Sequence, residues 1–280
     1  MENERRNLSL HDGSVGVGGL YNEVKINDNS KIDGDINCIL LKCSDGSTIN
    51  GNIEAQDVCI NDGSYVAGNI SSKDIKIKDS SRVNGRIKTI TAKINDSSKV
   101  YGDINAEDTI IRDGTIIDGN VTSKTIHAHD GSKITGNVKG EEIKINDSVK
   151  IGKDCECEKF TGSDSFQIGG LLNAEEISIT LDGNCSIKEI GGNNISVRIP
   201  KNLNSMSVFG IGIIRANIGI GYLTADTIEG DTIYLENTNA KIVRGSNITI
   251  GNNCSIGRVE YKENFTAVKK AIVIEQLKID

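Results

Sequence analysis

A repeat of fixed length constrains this chain more tightly than any other feature. Gly34, Gly51, Gly68, Gly85, Gly102, Gly119 and Gly136 are spaced by 17 residues; Lys153 interrupts the series and Gly170 restores it. Asp28, Asp45, Asp62, Asp79, Asp96, Asp113, Asp130, Asp147 and Asp164 keep the same interval without a miss. Each is followed by Gly, Ser or Asn and then usually by Ser. Four apolar rows run in register with them, starting at Val24, Ile26, Ile32 and Ile36 and reaching Ile177, Ile179, Ile168 and Leu172. Self-similarity at one short period is the mark of a solenoid, in which each unit lies on the unit before it.

Within a unit the apolar rows are two residues apart, the period of a strand, and β-branched residues dominate them. The copy at 57–73, DVCINDGSYVAGNISSK, reads as strands around 58–60, 64–66 and 70–72, with corners at Asp62-Gly63-Ser64, at Gly68 and at 72–74. The glycines are expected to turn the chain through positive φ, and each Asp to bond the backbone of its own corner. Coils then stack as parallel strands about 4.8 Å apart. The aliphatics of one coil cannot offset the entropy of ordering it, so neighbours above and below are required. The expected fold is all-β: a single-stranded parallel β-helix (β-solenoid), triangular, with 17-residue coils.

The repeat also sets the expected organisation. Residues 1–20 read as a tail or cap, because Asp12-Gly13-Ser14 imitates the corner one residue out of register. Residues 21–187 hold the regular repeat, and 188–262 an irregular β-helical continuation that contains Pro200. In that continuation Ile233 and Leu235 are matched 15 residues later by Ile248 and Ile250. Residues 263–280 read as a C-terminal cap or tail, a strand or a short helix.

Composition then excludes function classes. A net charge of −7 argues against a nonspecific nucleic-acid binder, which needs a basic face to release counterions. Thirty-one glycines with six Tyr, four Phe and no Trp suit tight turns around a narrow aliphatic interior and leave little material for a deep pocket. No signal peptide and no apolar stretch long enough to cross a membrane is evident, and the seven cysteines lie scattered. A reduced, cytoplasmic protein is the simplest expectation.

No set of residues converges on catalysis or on a cofactor. The Asp column suggests a calcium ladder, but the glycine-rich nonapeptide of calcium-binding β-rolls is missing, and structural turns are favoured. Cys155 and Cys157 form a C-x-C on inward positions of one strand, with Cys38 far away, which favours core packing over zinc. His127 and His129 point outward with no supporting ligand cluster and read as a solvated face. Lys25, Lys42, Lys76, Lys93 and Lys144 form a stripe beside Asp57, Asp74, Asp108, Glu142 and Glu176, a neutralised face rather than a phosphate groove. Hexapeptide acyltransferases, whose coils are three six-residue steps, do not fit a 17-residue period, and polysaccharide-active β-helices want aromatic platforms.

The segments Ile49-Asn50-Gly51-Asn52-Ile53-Glu54-Ala55 and Val100-Tyr101-Gly102-Asp103-Ile104-Asn105-Ala106 share a pattern that resembles the bactofilins, bacterial polymer-forming cytoskeletal proteins. The similarity covers 20–180, and the stretch LTADTIEGDTIYLENTNAKIVRGSNITIGNNCSIGRVEY looks like longer members from spore-forming Gram-positive bacteria. The resemblance implies a right-handed triangular β-helix that assembles end to end, without nucleotide, into filaments supporting envelope, shape or motility processes. It implies the chain itself as partner, with envelope or flagellar-assembly proteins beside it, no cofactor, and a cytoplasmic location that is at most membrane-proximal. The alternative is a non-polymerising platform that binds one envelope or appendage protein. Uncapped end coils favour the polymer. Val24, Ile26, Ile32 and Ile36, which line the first regular coil, and Ile248, Ile250 and Ile256, which line the last, are the expected polymer interface.

Overall fold

The computed structural model describes residues 5–200 and 221–280. Among them every regular element is a strand, and every strand pairing is parallel. The chain divides into two compact units, Met1–Ile143 with Lys150–Lys153, and Lys144–Val149 with Asp154–Asp280. Each is a β-solenoid of stacked coils.

In the first unit three inward ladders run from coil to coil. Val24, Leu41, Val58, Ile75, Ala92, Thr109 and Ile126 pair in order. Ile32, Ile49, Val66, Val83, Val100, Ile117, Ile134 and Ile151 form the second. Ile36, Ile53, Ile70, Ile87, Ile104, Val121 and Val138 form the third. No residue in these ladders is more than 3% exposed. Thr109 is the polar member, and it is satisfied by donating to the buried Ser123 Oγ at 3.0 Å.

Two corners work differently from the expectation. The repeated Asp does sit in the left-handed region, with Asp62 at φ 53° and Gly63 at φ 70°, and Ser64 N–H closes the turn on the Asn61 carbonyl at 3.3 Å. Two positive φ values in succession are the type I′ combination, which Asp and Gly tolerate best. The carboxylate, however, takes its hydrogen bond from the side chain before it and not from the corner backbone. Ser44 donates to Asp45 at 2.8 Å, Lys78 to Asp79 at 2.6 Å, and Asn61 to Asp62. The residue preceding each Asp of the column is a donor for this reason. The Gly63 N–H meanwhile reaches the Asp79 carbonyl of the next coil at 2.8 Å, so the backbone ladder continues through the turn.

The second corner corrects the role given to the glycine column. Gly51, Gly68, Gly85, Gly102, Gly119 and Gly136 do not have positive φ; within the series only Gly34 does, at 106°. What they lack space for is a side chain. A Cβ on Gly51, Gly68 or Gly85 would lie 2.2 Å from the carbonyl oxygen of the glycine one coil earlier. The residue after each glycine then bridges coils through its side chain. Asp35 Oδ1 accepts from Asn52 N–H at 2.7 Å, Asn52 Oδ1 from Asn69 N–H at 2.9 Å, and Asn69 Oδ1 from Arg86 N–H at 2.9 Å.

Arg6–Leu10 pairs in parallel with the following strand, Leu8 opposite Val24 and Leu10 opposite Ile26, so a coil precedes the first regular one. In that coil Gly16 and Gly19 stand opposite Ile32 and Ile36. Leu10 Cδ1 would be 2.6 Å from a Cβ on Gly16, which means the leucine occupies the missing isoleucine's space. Tyr21, 3% exposed, lies beside Gly19 and donates its hydroxyl to the Val17 carbonyl at 2.8 Å.

The second unit is built the same way with an uneven step. Cys155, Leu172, Ile190, Ile228, Val243 and Val259 form one ladder. The register shifts between Ile168 and Leu171, which pair with Ile187 and Glu189. Ile233 and Leu235 do pair with Ile248 and Ile250. The row that begins at Ile26 lapses at Gly162, and Phe166 fills the gap: its ring would lie 2.6 Å from a Cβ there and stands 5.9 Å from the Phe160 ring. Ile272–Lys278 is a strand paired with Ser255–Tyr261. The part of the expected irregular continuation at 201–220 lies outside the described residues.

The glycine geometry makes a paired prediction. Gly85→Ala forces two backbones apart and should lower stability by about 3 kcal/mol, the upper range for overpacking. Gly63→Ala meets nothing within 4 Å, at φ 70°, and should cost only the left-handed penalty of about 1 kcal/mol. Urea or thermal midpoints of the two variants decide the matter; an equal or reversed order would refute close approach as the reason for the column.

Candidate functional site

The structure brings the seven expected interface residues into the interior rather than onto an open end. Val24, Ile26, Ile32 and Ile36 are at most 2% exposed, as are Ile248, Ile250 and Ile256. Within the first unit the coil containing Arg6–Leu10 covers the first group. Within the second, Phe265, Ala267 and Val273 stand opposite Ile248, Ile250 and Ile256. Among the described residues the outermost coil edges lie one coil further out, in Arg6–Leu10 with the start of Val15–Ile26, and in Ile272–Lys278. A sequence signal existed for both. Leu8 and Leu10 alternate like Val24 and Ile26, and Val273 falls 17 residues after Ile256.

These outer coils differ in character from the coils inside. Val15, Val17 and Leu20 are 68%, 67% and 64% exposed, while Ile272, Ile274 and Leu277 are 63%, 80% and 47% exposed. Isolated apolar side chains on a surface are ordinary, but clusters beside an unpaired strand edge are not. Ile272 N–H bonds inward to the Cys254 carbonyl at 2.9 Å. Beyond the corner at Ile274, Ile279 N–H bonds inward as well, to the Tyr261 carbonyl at 2.9 Å. Alternation from these two points turns the N–H groups of Val273, Gln276 and Lys278 to the free side.

A chain of opposite charges leads to that second edge. Arg244 donates to Glu229 at 3.2 Å and to Glu260 at 2.6 Å. Arg258 lies 3.5 Å from Glu260 and donates to Glu275 at 2.8 Å. The Arg244 hydrogen bond, helped by the charges of both arginines, holds the Glu260 carboxyl below its ordinary value. Glu260 is the least exposed member, so it is the point where this chain contributes most; fully exposed pairs contribute little.

The sidewalls offer less chemistry. No group of three or more His, Cys, Asp or Glu side chains able to hold a metal ion occurs among the described residues. His127 is exposed, and His129 Nδ1 lies 2.6 Å from Asp130. Burial pushes the Cys43 and Cys185 thiols up to about 12, and those of Cys38 and Cys254 to about 11, which makes them poor nucleophiles near neutrality. Of the lysine stripe, Lys25 pairs with Glu23 at 3.0 Å. A shallow trough of about 540 Å³ runs over the first coils between Leu20, Asn52, Glu54, Asn69, Arg86 and Lys88. Its amides are already engaged in the coil-to-coil ladder, and no nucleophile, base and orienting group meet in it.

Comparison with known proteins matches residues 60–156 to the bactofilin family, described as polymer-forming cytoskeletal. The uncharacterized protein YhbF of Bacillus subtilis (strain 168) is 43% identical over 94 residues, which is 33% of this chain and 35% of YhbF. The uncharacterized protein YhbE of the same organism is 36% identical over 111 residues, 39% of this chain and 44% of YhbE. The matched region thus spans less than half the length of these curated relatives. No solved structure matches the chain. No helix among the described residues is long and apolar enough to cross a membrane.

The depressed Glu260 carboxyl predicts a pH response with a definite sign. Its contribution is complete above its unfolded value, near 4.5, and is lost as pH falls through the lower folded value. Glu260→Gln should therefore lower the thermal midpoint at neutral pH. It should also shrink the fall in midpoint between roughly pH 6 and pH 3 relative to the parent. An unchanged acid slope would assign that response to other carboxylates.

Proposed function

We propose that this chain, whose residues 60–156 are a bactofilin domain, is a non-enzymatic cytoskeletal scaffold that self-assembles end to end into filaments without nucleotide. The observation that carries the reading is the pair of one-sided strands: among the described residues, Arg6–Leu10 and Ile272–Lys278 each have a single pairing partner. An unsatisfied parallel edge is a template for a further strand, and in a solenoid the surface that stacks coil on coil also stacks molecule on molecule. The family description as polymer-forming supports self-association as the consequence. The interface belongs to these outermost coils, with Leu8, Leu10, Val273 and Gln276 at the positions that face the next coil and the exposed apolar groups beside them.

A scaffold of this kind acts by length and by attachment. We place it in the cytoplasm, serving envelope, shape or motility processes, with envelope or flagellar-assembly proteins as further partners. Catalysis is not part of the reading, because the sidewall residues are committed to turns, ladders and ion pairs.

Electron microscopy and sedimentation of the purified full chain without ATP or GTP test the proposal, and polymers are expected. Gln276→Pro removes an outward N–H from the free edge while leaving the inward bonds in place. It should convert polymers to short or single species with an unchanged circular dichroism spectrum. Strict monomers of the parent chain at high concentration would refute the filament and leave the alternative of a platform for one bound protein. Polymers that survive Gln276→Pro would place the contact elsewhere.

A further inference from the structure

Cys155 and Cys157 are used by neither the stacking of coils nor the proposed assembly. They lie two residues apart on the strand Cys155–Ser163, so their side chains leave it on one face. Their partners in the next coil are Leu172 and Ala174, 0% and 4% exposed, which makes that face the inward one. Cys155 is fully buried, whereas Cys157 is half-buried at the corner position that other coils fill with Ala55, Ser72 or Ser123. The two thiols are in hydrogen-bonding contact, and that bond together with burial keeps Cys155 protonated well above the ordinary thiol range. Cys38, Cys43, Cys59, Cys185 and Cys254 have no cysteine two residues away.

We propose that Cys155 and Cys157 form a reversible disulfide within the strand, in which a hydroperoxide oxidises the accessible Cys157 and the buried Cys155 resolves it. Cys157 sulfur attacks the peroxide, the O–O bond breaks, and a sulfenic acid and water are formed. Cys155, held as the thiol, is a slow nucleophile that attacks Cys157 sulfur because it lies beside it; as the S–S bond forms the S–O bond breaks, and the Cys155 proton passes to the departing hydroxyl to give a second water. Two thiols lose two electrons and one peroxide gains them. The roles follow from burial: the oxidant reaches only Cys157, and Cys155 is already against it.

Geometry argues that the bond is easily undone. Residues two apart in an extended strand have Cα atoms about 6.6 Å apart, whereas disulfides prefer about 5.5–6 Å. Closing the bond must pucker the strand, and strained disulfides are the readily reduced ones. The pucker falls where Cys155 and Cys157 pair with Leu172 and Ala174, so oxidation loosens one coil contact in the second unit.

The test uses the full chain treated with dilute hydrogen peroxide, quenched with N-ethylmaleimide and cleaved with trypsin. The peptide 154–159 should lose two hydrogens and become refractory to the maleimide, and dithiothreitol should restore both alkylation sites. In Cys157→Ser, whose position tolerates serine in other coils, Cys155 should stay a thiol under the same treatment. Two alkylated thiols after an exposure that oxidises free cysteine would overturn the proposal. So would Cys157 advancing to the sulfinic acid in the parent chain while Cys155 remains alkylatable.

Discussion

Each coil depends on its backbone coming into van der Waals contact with the coil before it at one corner. At that corner a glycine lies over a glycine, and a single added carbon would sit 2.2 Å from a carbonyl oxygen. The pitch is therefore set by backbone atoms, which cannot adjust as side chains can. Everything else is commensurate with this pitch. The Asp–Gly turn hands its N–H to the next coil's carbonyl, the Asp or Asn after Gly34 and Gly51 accepts the next coil's N–H, and apolar rows lie residue over residue in one register. Stability in such a stack is a sum of neighbour contacts, with no long-range core to absorb an error.

The turn chemistry follows the same logic. A column of carboxylates one strand spacing apart repels itself unless each is locally compensated. The compensation comes from the residue in front, so the repeat carries two coupled requirements at adjacent positions. Ser44, Lys78, Asn95 and His129 are chemically unlike, yet each is a donor within reach of its following Asp. The variation among them is permitted because only the donor matters.

The inward ladders, the parallel stacking and the exact period were legible because they repeat; a pattern seen nine times outweighs any single propensity. The uneven step of the second unit was legible only at Ile233 and Leu235, where two copies happen to match. Roles that depend on contact between coils were not legible. A glycine chosen for positive φ and one chosen for close approach look the same on paper, and only their Cβ environments separate them. The outermost coils are hard to read in the sequence for a related reason. Gly16 and Gly19 replace two isoleucines, so the first coil does not look like a coil until Leu10 and Tyr21 are seen filling the space. Phe166 compensating for Gly162 is the same kind of event, a conserved volume supplied by a different residue.

The ends follow the same rule that builds the middle. Inside a unit, each strand is satisfied on both sides and each apolar row is covered. At Arg6–Leu10 and Ile272–Lys278 the sequence departs from the repeat in opposite ways. The first closes its interior with a buried tyrosine and glycines, whereas the second places Gln276 opposite Val259 and leaves apolar side chains standing outward. A polar group at a core position is tolerated only where water or a partner satisfies it. The two edges are thus chemically distinct templates, and the Glu229–Arg244–Glu260–Arg258–Glu275 chain fixes the register in which the second is presented. Because a solenoid transmits strain only to adjacent coils, control of the proposed assembly would have to act at these edges or on a coil contact close to them.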